Sequence, residues 1–416
     1  MDNQLYIKNR KKFTDMMQDQ SIALLFAGEA KNRSADQEYE FTPNRGFYYM
    51  TGIDKQDFVL MITKYNDVVN ETLFILKPDY DIEKWTGLRL KKPEVQALSG
   101  INKIQHLEQF ESVFNRLLQV NYFKNIYLDT EFRKVGFISQ ALTFAKDIQT
   151  NFPYLSVLSA SQIINDLRTI KEPEEIQAIK QAIASTDLGL NSIMKHMKPT
   201  LIERQVEAHY DFAIKYNGVK SRSFKTIAAS GKNATVLHYE DNDCETKDGQ
   251  LMLFDLGCEF GYYCSDISRT YPVNGKFTER QKAVYEAVLR VNEKVIKMVK
   301  PGILWKDLHE AGKDLLAEEA IALGIISEKS EISKYYYHGI GHYLGLDVHD
   351  VGRYDQNERV LEPGMLLTIE PGLYIADEAI GIRIEDDILV TDEGYENLSK
   401  GIIKSVEDIE SYMNQS

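Results

Sequence analysis

Cysteine is scarce in this chain: Cys244, Cys258 and Cys264 are its whole supply in 416 residues. An odd count, with no secretory h-region in MDNQLYIKNRKKF, excludes a disulfide framework and predicts a reducing, cytoplasmic setting. Cys258 and Cys264 are too far apart for a CxxC pair and read as packing thiols. Positive charge is also in short supply, the net charge being −14. Polyanions are bound by clustered Lys and Arg, so a nucleic-acid partner is excluded. The short basic run Lys8–Lys12 (KNRKK) reads as a solvated helix face. No apolar stretch approaches the roughly 18 residues of a membrane helix, which excludes a membrane span. Low-complexity tracts and internal repeats are missing as well.

Apolar material is plentiful. At 43% hydrophobic residues, a chain of this length can bury two or three domain cores. Up to about residue 165, FVLMITKY, ETLFILK and NIYLDT read as strands, and Phe110, Val113, Leu117 and Leu118 recur at helical spacing. That alternation predicts an α/β domain over residues 1–165. A boundary follows near Ile170–Pro173. Pro173 suits a first helical position, and Glu172, Glu174 and Glu175 suit the positive end of the helix dipole. Ile176, Ile179, Ile183, Leu190 and Ile193 continue that helix. Thr278 and Gln281 form a capping-box pattern ahead of Ala283, Val284, Ala287, Val288, Val291 and Val295. A third helix is predicted from Trp305 to Leu323, stopping at Gly324. Strand-like runs at 251–256, 262–271, 365–370 and 382–390 surround these helices. Residues 166–416 are therefore expected to form an α+β domain of helices on sheets.

Four of those runs carry acids where acids need compensation. Asp255 lies in LMLFDLG, Asp266 in YYCSDISRT, Glu370 in LLTIEPGLY and Glu385 in GIRIEDDI. A hairpin closing near Phe260–Gly261 would put Asp255 and Asp266 side by side on adjacent strands. Two like charges about 4 Å apart repel by about 4 kcal/mol at an effective dielectric of about 20. Adding Glu370 and Glu385 raises that cost, and cations remove it. With His342 of HGIGH, the set predicts an oxygen-rich site for two divalent metal ions, Mn before Co or Zn. Such a pair can acidify a water toward neutrality and attack a carbonyl or a phosphoryl centre.

Other motifs carry less. His309–Glu310 begins like HExxH, but the fifth residue is Lys313. Gly339, Gly341 and Gly345 miss the dinucleotide fingerprint by one residue. His338, His342 and His349 fall in one glycine-rich stretch, YYHGIGHYLGLDVHDVG, and read as functional. His238 stands alone in ATVLHYEDN. His106, His196, His209 and His309 are assigned to surface or packing roles.

FDLG, SDISRTYPV, HGIGHYLGLDVHDVG, LEPGMLLTIEPGLYI and GIRIEDDILVT together resemble the pita-bread metallopeptidases, specifically the aminopeptidase P family. RSADQEYEFTPNRGFYYMTG is similar to that family's N-terminal domain. The resemblance spans nearly the whole chain. It implies an N-terminal α/β domain followed by an α+β pita-bread catalytic domain. It also implies that Asp255 holds one metal, that His342 and Glu370 hold the other, and that Asp266 and Glu385 bridge both. Glu370 would take the proton of the attacking water. His349 would bind substrate and oxyanion, His238 and His338 would line the proline pocket, and Arg383 would orient groups there. Tyr374 would act as a supporting partner, and either Arg353 or Arg359 would contact substrate. Trp85 is similar to a family tryptophan that reaches a neighbouring subunit, which implies a homodimer or homotetramer.

The expected activity is release of an N-terminal residue preceding proline, by a hydroxide bridging two metals. The alternatives are a prolidase restricted to Xaa-Pro dipeptides, a metal-free creatinase-like hydrolase, and a non-catalytic peptide- or protein-binding module. The intact ligand set speaks against the last two.

Overall fold

The computed structural model describes residues 2–130, 137–352 and 359–415. The chain divides into two compact units, Met1–Arg168 and Thr169–Ser416.

The first unit opens with α1 (Asn3–Met16), capped by the Asp2 side chain, and the buried strand β1 (Ser21–Phe26). A small exposed hairpin, β2 (Asn32–Ser34) and β3 (Gln37–Glu38), precedes α2 (Arg45–Thr51). The runs FVLMITKY and ETLFILK supply β4 (Val59–Tyr65) and β5 (Val68–Ile75). Asn66 and Asp67 join them with φ of 51° and 59°. Such positive values at both turn positions match the right-handed twist of a two-residue hairpin. Then come α3 (Tyr80–Thr86), α4 (Lys92–Ser99), β6 (Ile104–His106) and α5 (Phe110–Val120). After them follow β7 (Asn125–Leu128), α6 (Gln140–Asn151), β8 (Ser156–Ser159) and α7 (Ala160–Thr169). The six-stranded sheet has the order β6-β5-β4-β1-β7-β8. Its centre is antiparallel, and β6, β7 and β8 join in parallel. Ile22, Leu24, Met61, Phe74, Ile126 and Leu128 pack against Phe114 and Ile148 as the core of this α/β unit.

One expectation fails here. The run Lys8–Lys12 is not a solvated face, because Asn9 and Arg10 are buried. Arg10 donates to the carbonyls of Met50 and Ser99, and its Nε lies 3.0 Å from Glu71. Those carbonyls end α2 and α4, where a helix leaves acceptors open and a cation is favoured. A guanidinium with five donors can serve both ends at once.

The second unit begins with α8 (Pro173–His196) and α9 (Glu203–Tyr216), which pack on each other. The strands β9 (Ile227–Ser230), β10 (Leu251–Leu256) and β13 (Ile267–Pro272) form an antiparallel sheet in the order β13-β10-β9. The two-residue strands β11 (Glu259–Phe260) and β12 (Tyr263–Cys264) cap the β10–β13 hairpin. A second helix pair follows, α10 (Glu279–Ile296) with α11 (Trp305–Ala322). Beyond it lie β14 (Leu366–Ile369), β15 (Gly372–Ile375), β16 (Ile380–Arg383), β17 (Asp386–Val390), β18 (Tyr395–Asn397) and α12 (Val406–Asn414). β14-β17-β18 form one sheet and β15-β16 a hairpin. α8 packs on β11–β13, α9 on β9, and α10 on β14–β16. This is an α+β unit of helices on antiparallel sheets.

The long strand-like runs are interrupted where the acids sit. The run 262–271 breaks before Ile267, and 382–390 breaks at Ile384–Glu385. Asp255 lies inside a strand, Asp266 and Glu385 immediately precede one, and Glu370 immediately follows one. The hairpin register also differs from expectation, since Asp255 pairs with Ser268 rather than with Asp266. Gly257 explains the break, because a Cβ there would collide with the Ser265 carbonyl. The two chains cross too closely at that point for a regular ladder.

Candidate metal centre

A cavity of about 440 Å³ lies in the second unit. It is lined by Asp255, Asp266, His342, Glu370 and Glu385, together with His238, His338, His349 and Arg383. The five donor residues, the two further histidines of the glycine-rich stretch, and the His238 and Arg383 that the resemblance added thus face one space. Trp85 belongs to the first unit, where it is 89% exposed on α3. Arg359 forms an ion pair with Glu362 at 3.0 Å and is not among the residues lining the cavity. Arg353 lies outside the described residues.

Local pairing explains the convergence. The segment 340–344 runs antiparallel to β14: Glu370 donates to the Ile340 carbonyl, Thr368 to that of His342, and Leu344 to that of Leu366. Thr368 Oγ1 also accepts from the His342 N–H at 3.0 Å. Gly341 permits this approach, since a Cβ there would collide with the Thr368 carbonyl. His342 and Glu370 are therefore neighbours through a ladder that a glycine-rich stretch conceals in the sequence. On the other wall, the Glu385 N–H donates to the Ser268 carbonyl, and Ser268 Oγ donates to Glu385 Oε2 at 2.8 Å.

The side chains form a buried anionic cluster. Ligand-type atoms of Asp266, His342 and Glu385 lie within 4.8 Å of one another. Burial and the nearby Glu385, Asp255 and Asp387 carboxylates push Asp266 well above the usual carboxylate range. Burial and the Glu370 and Asp255 charges do the same to Glu385. Burial lifts Glu370 to about 8, against the pull of Arg383.

Two observations show that the set fits cations. Asp255 Oδ1 and Asp266 Oδ1 are buried with no hydrogen-bond partner among the described residues. An unsatisfied buried carboxylate oxygen is costly unless something positive meets it. The second observation is a tautomer. His342 Nδ1 lies 3.0 Å from the Tyr343 carbonyl, so it carries the proton. Burial followed by His349 pushes this imidazole down to about 4, so it is neutral. Its Nε2 lone pair then faces Asp266 Oδ2 at 3.3 Å and Glu370 Oε1 at 3.8 Å. A lone pair facing two carboxylates is repulsive unless a proton or a cation lies between them.

Arg383 ties the wall together. It donates to Ser268 Oγ, to the Tyr374 hydroxyl at 3.0 Å and to Asp255 Oδ2 at 2.6 Å. The Tyr374 hydroxyl in turn donates to His338 Nε2 at 2.8 Å, and His338 Nδ1 donates to the Gly339 carbonyl. That chain fixes the tautomer of His338. Burial and then Arg383 push His338 down to about 3, so it is neutral at any ordinary pH. Burial and then His238 lower His349 as well.

Sequence reasoning passed over several contributors. Asn292 is fully buried on α10 and donates to the carbonyls of Ile369 and Ile384, the residues just before Glu370 and Glu385. The available signal was one amide inside the Val288–Val291–Val295 stripe. His309 is not only a packing residue, because its Nδ1 accepts the Ile340 N–H at 3.2 Å. Ser268 and Thr368 are further examples, and short hydroxyls in strands carry no distinguishing pattern.

The profile of metallopeptidase family M24 matches residues 177–392, and that of the aminopeptidase P N-terminal domain matches residues 6–127. The Xaa-Pro aminopeptidase of Escherichia coli K12 is 34% identical, over 99% of this chain and 98% of its own length. A candidate aminopeptidase P from Bacillus anthracis is 47% identical with a TM-score of 0.98, covering 100% of this chain and 99% of its own. Zn-substituted E. coli aminopeptidase P in complex with product is 32% identical with a TM-score of 0.93, at 100% and 99% coverage. On these matches, the chain belongs to metallopeptidase family M24 and, within it, to the aminopeptidase P proteins.

Proposed function

We propose that this chain is a metal-dependent Xaa-Pro aminopeptidase, hydrolysing the bond between an N-terminal residue and a following proline. The observation that carries the reading is the buried carboxylate set with its two orphaned oxygens, sharing one cavity with His238, His338 and His349. The likeness to the E. coli Xaa-Pro aminopeptidase supports proline as the second residue.

Asp255, Asp266, His342, Glu370 and Glu385 would hold two divalent cations, with Asp266 and Glu385 shared. When bound, the cations neutralise the carboxylates, polarise the scissile carbonyl and supply hydroxide at neutral pH. Glu370 accepts the proton of the attacking water and later delivers it to the leaving proline nitrogen. His349 hydrogen-bonds the developing oxyanion. His338, neutral and clamped by Tyr374, gives the proline ring an uncharged wall beside His238. Arg383 holds Asp255 in place and keeps the Tyr374–His338 chain oriented. Proline suits such a pocket because its nitrogen brings no N–H to be satisfied.

Manganese is the proposed metal, on the oxygen-rich donor set. A homo-oligomer is proposed on the highly exposed Trp85. A cytoplasmic location is proposed on the low cysteine count, with no disulfide among the described residues. Steady-state kinetics with added Mn²⁺, on an Xaa-Pro dipeptide and its tripeptide extension, tests the activity. Cleavage of the tripeptide after its first residue is expected. Cleavage of the dipeptide alone would make the protein a prolidase, and about two bound ions without cleavage of either would make it a binding module.

A further inference from the structure

His238 reaches the cavity from an irregular segment between β9 and β10 that contains a 3₁₀ turn, Gly231–Thr235. Its ring has no hydrogen-bond partner among the described residues. The position of His238 is therefore set by whatever holds the backbone around it.

One side chain grips both ends of that segment. Glu203 opens α9, is fully buried, and uses both carboxylate oxygens. Its Oε1 accepts from the Ser230 N–H, from Ser230 Oγ and from Asn233 Nδ2, at 2.7, 2.7 and 3.0 Å. Its Oε2 accepts from the Tyr239 hydroxyl at 2.7 Å and from the Cys244 N–H at 3.0 Å. Tyr239 directly follows His238, and both Leu237 and Tyr239 pack toward Tyr374 and its apolar neighbours. All five donors are neutral N–H or O–H groups, and the two oxygens of Glu203 accept from every one of them.

The Glu203 carboxylate also lies near Asp243 and Cys244 in a grouping with metal-ligand spacing. The five donors decide against a cation there, because N–H and O–H hydrogens already occupy the carboxylate lone pairs.

We propose that Glu203 is a positioning residue for the aminopeptidase reaction. It staples the segment 230–244 so that His238 stands at the proline pocket, and it acts only through that residue. This role rests on the aminopeptidase reading above. It predicts that the staple fails when one acceptor oxygen becomes a donor, since either oxygen of Glu203 faces at least two donors. Glu203→Gln makes that change at constant shape. Tyr239→Phe removes a single one of the five bonds and keeps the ring that packs toward Tyr374.

The test uses the full-length, Mn²⁺-loaded protein with two readouts. Hydrogen exchange of residues 231–244 reads the staple itself, independent of chemistry. Exchange there should rise at least tenfold in Glu203→Gln and by a smaller factor in Tyr239→Phe, with the helices α8 and α10 unchanged. Kinetics on an Xaa-Pro tripeptide read the function through a double-mutant cycle with His238→Ala. Glu203→Gln should raise KM and lower kcat/KM at least tenfold, yet cost less than twofold in the His238→Ala background. Unchanged exchange in both single variants overturns the staple. Equal losses in the two backgrounds overturn its action through His238. A wild-type protein that cleaves no proline peptide overturns the aminopeptidase reading and, with it, the catalytic purpose, and the exchange result then decides the staple alone. If Glu203→Gln does not fold, Tyr239→Phe decides both readouts.

Discussion

Glu385 and Asp386 are chain neighbours, equally buried, and opposite in electrostatic fate. Glu385 faces the cavity among other carboxylates and is pushed well above its ordinary range. Asp386 faces away from it, where Arg269 at 2.9 Å and Lys404 at 2.6 Å overcome burial and hold it down to about 2. Burial is the same for both, so the difference is the partner. The Arg269–Asp386–Lys404 network is complete as the chain folds, with Ser399 Oγ and the Glu385 carbonyl satisfied in it. The Glu385 carboxylate one residue away has no such pair of partners and, on the proposed reading, is completed by cations. The fold thus supports an unfinished site on a finished one, and Asn292 joins the two by accepting from Lys404 while donating beneath both glutamates.

Breaking the cavity side is expected to have the largest effect on function. Asp266→Ala should drop metal content from about two ions to one or none, measured by elemental analysis, and abolish tripeptide cleavage. Its fold should persist, because the mutation also removes a repulsive charge. A loss of fold equal to the loss of metal would erase the distinction between the two regions.

Breaking the completed side should do the reverse. Asp386→Ala leaves Arg269 and Lys404 without their buried anion, which costs about 3–5 kcal/mol of stability in urea unfolding. A loss below about 1 kcal/mol would mean that the network contributes little.

The joint between them should give an intermediate result. Asn292→Leu keeps the branching of the side chain and removes the donors to Ile369 and Ile384, at about 1–3 kcal/mol. Cation affinity by calorimetry should weaken, and excess Mn²⁺ should restore kcat. Weakened stability with unchanged affinity would make Asn292 a packing residue only.

The smallest effect is in pH dependence, and its sign differs between the regions. Glu370 is raised to about 8 without a cation. The folded state then holds a proton that the unfolded chain releases near 4.5, so metal-stripped protein loses stability as pH rises from about 4.5 to 8. Asp386, depressed to about 2, stabilises the fold above about 4, and that contribution is lost as pH falls toward 2. Melting curves of stripped protein should slope downward in the first window. Mn²⁺-loaded protein should lack that slope, since a bound cation holds the carboxylates ionised.

The helices, the hairpin strands, the five donor residues, His338 and His349 were legible because their signals are local, whereas His238 and Arg383 were reached only through the family resemblance. Capping boxes, periodic apolar positions and acids in apolar runs are properties of a few adjacent residues. The breaks at Asp266 and Glu385 were not legible. Strand propensity continues through both, and the interruptions come from a chain crossing at Gly257 and from bonding across to Ser268. Arg10 was misread for a similar reason, since its partners Met50 and Ser99 are distant in sequence.

The sequence by itself determined the two-part organisation, the amphipathic helices and the chemical identity of the donors at the cavity. Those follow from side-chain chemistry and short-range periodicity. Only the tertiary structure decided which acids are paired with cationic side chains and which are gathered with other acids in the cavity. It alone showed that Asp386 is ion-paired with two cations while Glu385 sits among carboxylates that outweigh the pull of Arg383. It also showed that Glu203, unremarked in the sequence, holds the segment bearing His238. Charge compensation and hydrogen bonding depend on distances of about 3 Å, and those distances are set between residues that lie up to more than a hundred positions apart.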